Sequence, residues 1–110
     1  MKDDKVYLLH IRDAIQSIFD YTAAGKENFL KTKLIQDGVI RNLEIIGEAV
    51  KNVSDALKSK YKDMRWKQIA GMRDKMIHQY FGVNLEIVWE VVAKDLPPLQ
   101  KKIEEILKTS

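Results

Sequence analysis

A guanidinium, an imidazole and a phenol fall within eight residues in the run Arg73-Asp74-Lys75-Met76-Ile77-His78-Gln79-Tyr80. Arg73 belongs to a helical stripe, Trp66, Ile69, Arg73, Met76 and Tyr80, whose spacings of three and four otherwise carry apolar side chains. A guanidinium on such a stripe costs several kcal/mol to desolvate unless an anion meets it. Two anions are open to it. One is Glu44 or Glu48, a turn apart on the preceding long helix, which would repel each other without a cation nearby. The other is a substrate phosphate, which arginine grips through two parallel hydrogen bonds.

His78 is a candidate metal-free acid or base, although taken singly it is as well explained as a helix-dipole partner. On a straight helix it would lie about 140° from Arg73, whereas Tyr80, seven residues on, lies almost directly above it. Convergence of Arg73, His78 and Tyr80 on one pocket therefore requires the helix to end near His78, as Phe81-Gly82 suggests. Asp74, four residues before His78, can accept the ring N–H and fix its tautomer. A histidine near a helix C-terminus also serves as a dipole partner. That role is enough for His10.

The two histidines lack companions at metal-ligand spacing, and the chain has no cysteine, which excludes thiolate zinc sites, thiol nucleophiles and redox switching. No Gly-rich phosphate loop and no Ser-His-Asp elbow is present. The expected chemistry thus uses neither metal nor other cofactor. Asn42 is the second polar residue on an apolar stripe, and its expected role is to fix register at a helix interface. Gly47, inside a helical run, costs roughly 1 kcal/mol against alanine and implies close packing there.

Helical periodicity dictates the elements that position these groups. Leu8, Ile11, Ile15, Ile18 and Thr22 predict a first helix over about 4–23, capped by Asp3 or Asp4 and stopped at Gly25. Ile35, Val39, Asn42, Ile46, Ala49 and Val53 predict one long second helix over about 28–52, bent at Gly38. Ser54 caps a short helix over 55–61, and a fourth runs over about 65–78. Asn84 caps a helix carrying Leu85, Val88, Trp89 and Val92. Pro97 and Pro98 interrupt or kink it before Leu96, Leu99, Ile103 and Ile106 continue the stripe.

The expected fold is an all-α, up-down bundle of four to five helices, one domain over residues 1–110. Its 45% apolar and 32% charged composition suits a globular protein. No apolar run approaches the roughly 20 residues of a membrane span, and Met1-Lys-Asp-Asp-Lys5 lacks the apolar core of a signal peptide. A cytoplasmic location follows. The net charge is only +3, but residues 51–75 hold eight basic and three acidic side chains. Such a block is either a solvated face or a footprint for a phosphate-bearing partner.

The run Arg73-x4-His78-x-Tyr80 resembles the signature of the HepT-like toxins, small members of the HEPN superfamily of helical ribonucleases. Three further blocks resemble that family in order along the chain: Arg41-Asn42-Leu-Glu44-Ile-Ile46-Gly47-Glu48-Ala49, Trp66 ahead of the motif, and Val88-Trp89-Glu90 with Asp95-Leu96-Pro97. The resemblance implies a homodimer with its two motifs facing across a groove, and metal-independent cleavage of an RNA substrate. It assigns Arg73 and His78 as catalytic, with Asp74, Asn42, Glu44 and Glu48 in support. It also implies a nucleotidyltransferase antitoxin that attaches AMP to Tyr80. The rival expectations are a non-catalytic helical module that binds a nucleotide or the partner, and a structural dimerisation domain.

Overall fold

A computed structural model of the chain describes residues 2–71 and 84–109, which are helical apart from short connections and include no strand. Helix α1 spans Lys2–Tyr21, α2 Lys26–Lys31, α3 Lys33–Asn52 and α4 Asp55–Lys60. Residues 66–71 are helical and form α5. After the undescribed stretch come α6, Leu85–Glu90, a π-helical turn, Val91–Asp95, and α7, Leu96–Lys108.

The all-α class stands, with four departures from the expected elements. Helix α1 begins at Lys2, so Asp3 and Asp4 lie inside its first turn instead of capping it. The carboxylate of Asp4 reaches Ser54, 50 residues away, accepting from its backbone N–H at 2.8 Å and its hydroxyl at 2.6 Å. The expected long second helix is two helices, broken at Thr32, whose backbone is extended at φ −116° and ψ 101°. The amide of Gln36 closes that elbow by donating to the carbonyls of Phe29 and Leu30 at 3.0 and 3.1 Å. The break turns Phe29, fully buried, against the Trp89 ring at a centroid distance of 5.5 Å.

Gly38 is not a bend. It makes room for the Tyr21 ring, because a Cβ there would stand 3.0 Å from Tyr21 Cε2. The prolines do not interrupt the last helix but occupy the first turn of α7, where absent donors are tolerated. The chain accommodates them with a widened turn in which the Leu96 N–H donates to the Val91 carbonyl, five residues back. The break at Thr32 and this turn give the described residues more helical segments than the four to five expected.

Two caps match the expectation. Ser54 accepts from the Leu57 N–H, and Asn84 Oδ1 accepts from Glu86 N and Ile87 N at 3.0 and 3.2 Å. Helices α1 and α3 are antiparallel, since Asp4 meets the end of α3 and Tyr21 meets Gly38 near its start. Their facing stripes form the centre of the core, with Ile11, Ile15, Ile18, Val39, Leu43 and Ile46 fully buried. Helix α7 closes it with Leu96, Ile103 and Ile106. No helix among the described residues is long and apolar enough to cross a membrane.

Candidate nucleic-acid interface

Four of the expected site residues, Arg73, Asp74, His78 and Tyr80, lie outside the described residues, so the structure begins at their approach. Helix α5 carries the chain to Gly71, two positions before Arg73 in sequence. The other three supporting residues, Asn42, Glu44 and Glu48, lie on α3. Glu44 is half-buried and Glu48 exposed. They share a helix face, whereas Asn42 lies about 200° from Glu44 around the axis. Asn42 donates its amide to the Gly38 carbonyl of its own helix at 2.8 Å. Among the described residues this bond within its own helix is the hydrogen bond the Asn42 side chain makes.

The segment from Ser54 to α5 rests Leu57, Tyr61, Met64 and Trp66 on the core and is fixed in place by directed polar bonds. No residue of α4 is buried. Instead, Ser54 is tied to Asp4, and the indole N–H of Trp66 donates to the Tyr61 carbonyl at 3.0 Å. The Tyr61 hydroxyl pairs with the Thr109 hydroxyl at 2.9 Å, and Lys102 on α7 forms an ion pair with Asp63. Trp66, only 8% exposed, is thus the floor on which the turn over residues 61–65 rests.

These bonds shift the carboxylates they involve. Burial alone would raise the Asp4 carboxyl, but the two Ser54 hydrogen bonds and the nearby Lys58 charge outweigh it and hold the pKa below the ordinary value. Asp63 is lowered chiefly by its hydrogen bond with Lys102, and that bond raises Lys102 in return.

The turn and the two helices it joins border a shallow, wide-open cleft of about 630 Å³. Lys58, Lys62, Arg65 and Lys67 line it around Trp66, and among the described residues Asp55 is the only acidic one in its wall. Among the described residues none of these four cations has a carboxylate within 4 Å, although Arg12, Lys26, Lys33, Lys94 and Lys102 each do. The basic block of the sequence is therefore in part a surface whose cations form no ion pair among the described residues, although the Lys58 charge also acts on Asp4. Among the described residues no group of three or more histidine, aspartate or glutamate side chains could hold a metal ion.

Sequence reasoning found the charge of this surface but not its shape. The bond from Asp4 to Ser54 and the pairing of Asp63 with Lys102 span 50 and 39 positions. Neither has a periodic signal. The Trp66 stripe position was the one usable clue, since an indole on an apolar seam beside a turn needs an acceptor for its N–H.

Fold and surface together define a protein whose described residues are helical apart from short connections, with a cationic face on residues that precede the arginine- and histidine-bearing segment in sequence. The chain belongs to the HepT-like ribonuclease family, whose model matches residues 11–106. It is 43% identical over 109 residues to a putative RNase of Caldanaerobacter subterraneus subsp. tengcongensis, covering 98% of this chain and 97% of that protein. It is 43% identical over 108 residues to a probable ribonuclease HepT of Thermococcus cleftensis, covering 97% of this chain and 98% of the relative. A gamma-glutamylcyclotransferase and putative RNase of Methanocaldococcus jannaschii is 47% identical over 108 residues. This chain spans 49% of that protein's length. No solved structure matches the chain significantly.

Proposed function

We propose that this protein is a metal-independent endoribonuclease and the toxin of a toxin-antitoxin pair. The observation that carries the reading is Arg73-x4-His78-x-Tyr80, standing inside the segment matched to the HepT-like ribonuclease family. Two protomers place their motifs across a common groove. One His78 takes the proton of a ribose 2′-hydroxyl as its oxygen attacks the adjacent phosphorus. The bond from phosphorus to the 5′-oxygen breaks, and that oxygen receives a proton from the second copy of His78. Arg73 stabilises the charge gathering on the phosphoryl oxygens.

The products are a 2′,3′-cyclic phosphate, or the 3′-phosphate it hydrolyses to, and a 5′-hydroxyl. A partner nucleotidyltransferase silences the site by attaching AMP to Tyr80, which adds a phosphate-linked adenosine beside Arg73 and His78.

The test is incubation with total RNA in excess chelator. Cleavage persists, DNA is untouched, and His78→Ala loses roughly 10²-fold or more of the rate. Arg73→Lys loses most activity because a point charge cannot reproduce the planar fork. Fragments ending in 3′-hydroxyls, activity only with magnesium, or a strictly monomeric mass in solution overturn the mechanism.

A further inference from the structure

The reading above leaves open how an RNA strand is held beyond the scissile phosphate, and the cleft described before α5 answers to that need. We infer that the cleft bounded by α4, the turn over residues 61–65 and α5 is a backbone-binding exosite for single-stranded RNA. Lys58, Lys62, Arg65 and Lys67 neutralise successive phosphates in it. This rests on the ribonuclease reading for the identity of the ligand.

Three observations carry it. The four cations converge on one concavity of about 630 Å³ and have no carboxylate partner within 4 Å among the described residues. Solvated surface lysines gain little from being clustered, and their mutual repulsion is relieved when a polyanion enters. The cleft is also pre-formed. Trp66, bonded to the Tyr61 carbonyl, and Asp63, paired with Lys102, fix the turn that carries Lys62 and Arg65. A fixed turn loses little freedom when it binds.

The third is position. Lys67 and Arg73 are six residues apart in sequence, so their Cα atoms are at most about 22 Å apart, within the reach of a few nucleotides of one strand. The indole N–H is committed, and Trp66 is nearly buried, so base stacking on it is not the mode of binding. Binding through phosphates alone carries no base preference. The exosite therefore adds affinity without choosing the cut.

The experiment measures binding of a 2′-O-methyl RNA oligonucleotide, which has no free 2′-hydroxyl and cannot be cut by the proposed route. Anisotropy is followed across a salt series for the parent chain and for the combined Lys58→Gln, Lys62→Gln, Arg65→Gln and Lys67→Gln variant. Each phosphate contact on a single strand contributes about 0.7 to the slope of log K against log salt, so the variant loses about 3 from that slope and roughly 10-fold or more in affinity. The single variant Asp55→Asn shifts affinity the opposite way, tightening it a few-fold, and so separates charge from any damage to folding.

An unmoved slope in the combined variant overturns the inference and gives the cations to another partner, such as an acidic protein. Failure of the parent chain to bind the oligonucleotide overturns it as well. Cleavage of a dinucleotide, too short to reach the cleft, continues at the parent rate in the combined variant if the inference holds. The two readings can fail separately. Charge-dependent binding without cleavage refutes the nuclease alone, and cleavage of long RNA with an unmoved slope refutes the exosite alone.

Discussion

The interface of α1 with α3 and the segment from Ser54 to α5 are built on different balances of burial and directed bonding. In the first, Ile11, Ile15, Ile18, Val39, Leu43 and Ile46 are withdrawn from water completely. In the second, no residue of α4 is fully buried, Leu57, Tyr61 and Met64 cover the core only in part, and three long-range contacts, at Asp4, Tyr61 and Asp63, together with the local bond from Trp66 to the Tyr61 carbonyl, hold the chain in place. Burial is non-directional and proportional to area, so it stabilises a helix pair without leaving room for charge. Hydrogen bonds fix geometry with little area. A surface meant to carry cations toward a polyanion therefore has to be fixed by bonds, and the cations can then stay in water.

The contrast can be broken most severely in the core. Leu43→Ala empties a fully buried site and should cost about 2–5 kcal/mol by urea unfolding, with the cooperativity of the transition unchanged. A loss below 1 kcal/mol would show that the two regions do not differ in what holds them.

Ser54→Ala removes the α4 cap and the hydroxyl that meets Asp4 together, for about 1–2 kcal/mol by the same measurement. The Asp4 half of that contact has a pH signature. Its carboxyl titrates lower in the folded chain than in the unfolded one, so its stabilisation is full above the unfolded value of 3.8 and disappears as pH falls through the folded value. Melting temperatures between neutral and acidic pH should therefore fall below about pH 4 more steeply for the parent chain than for Asp4→Asn.

Trp66→Phe keeps an aromatic ring but deletes the donor to Tyr61 and part of a buried volume, so its cost should be about 1–2 kcal/mol. It should also loosen the turn enough to weaken RNA binding while the α1–α3 interface is untouched. The smallest effect belongs to Lys102→Gln, which opens a pair whose Asp63 side chain is 63% exposed. The melting temperature should drop slightly at low salt and match the parent at high salt.

Much of the fold was readable in the spacing of apolar residues. Leu8, Ile11, Ile15 and Ile18 are all buried as their three-four pattern requires, and Ser54 and Asn84 cap the helices they precede. Local chemistry is visible in local sequence. The misread elements depend on partners far away in the chain. Thr32 carries no glycine or proline to announce a break, and the break is set by Phe29 docking on Trp89. Gly38 looked like a bend because a glycine inside a helix usually weakens it, but its role is decided by Tyr21 on another helix. Asp4 was assigned by its position at a helix start, whereas its carboxylate is engaged by Ser54. For the site, the cationic block was plain in the composition, while the cleft it lines depends on how the turn over residues 61–65 is tied down.

The Gln36 amide has a consequence for motion. A helix of six residues is far too short to persist alone, and α2 would open and close independently if Thr32 were a free joint. Because one side chain from α3 grips the last carbonyls of α2, and Phe29 is seated against Trp89, the two helices should open as one cooperative unit. In hydrogen exchange the amides of Leu30 and Lys31 would then share the protection of the first turns of α3, and Gln36→Leu would release them to exchange on their own.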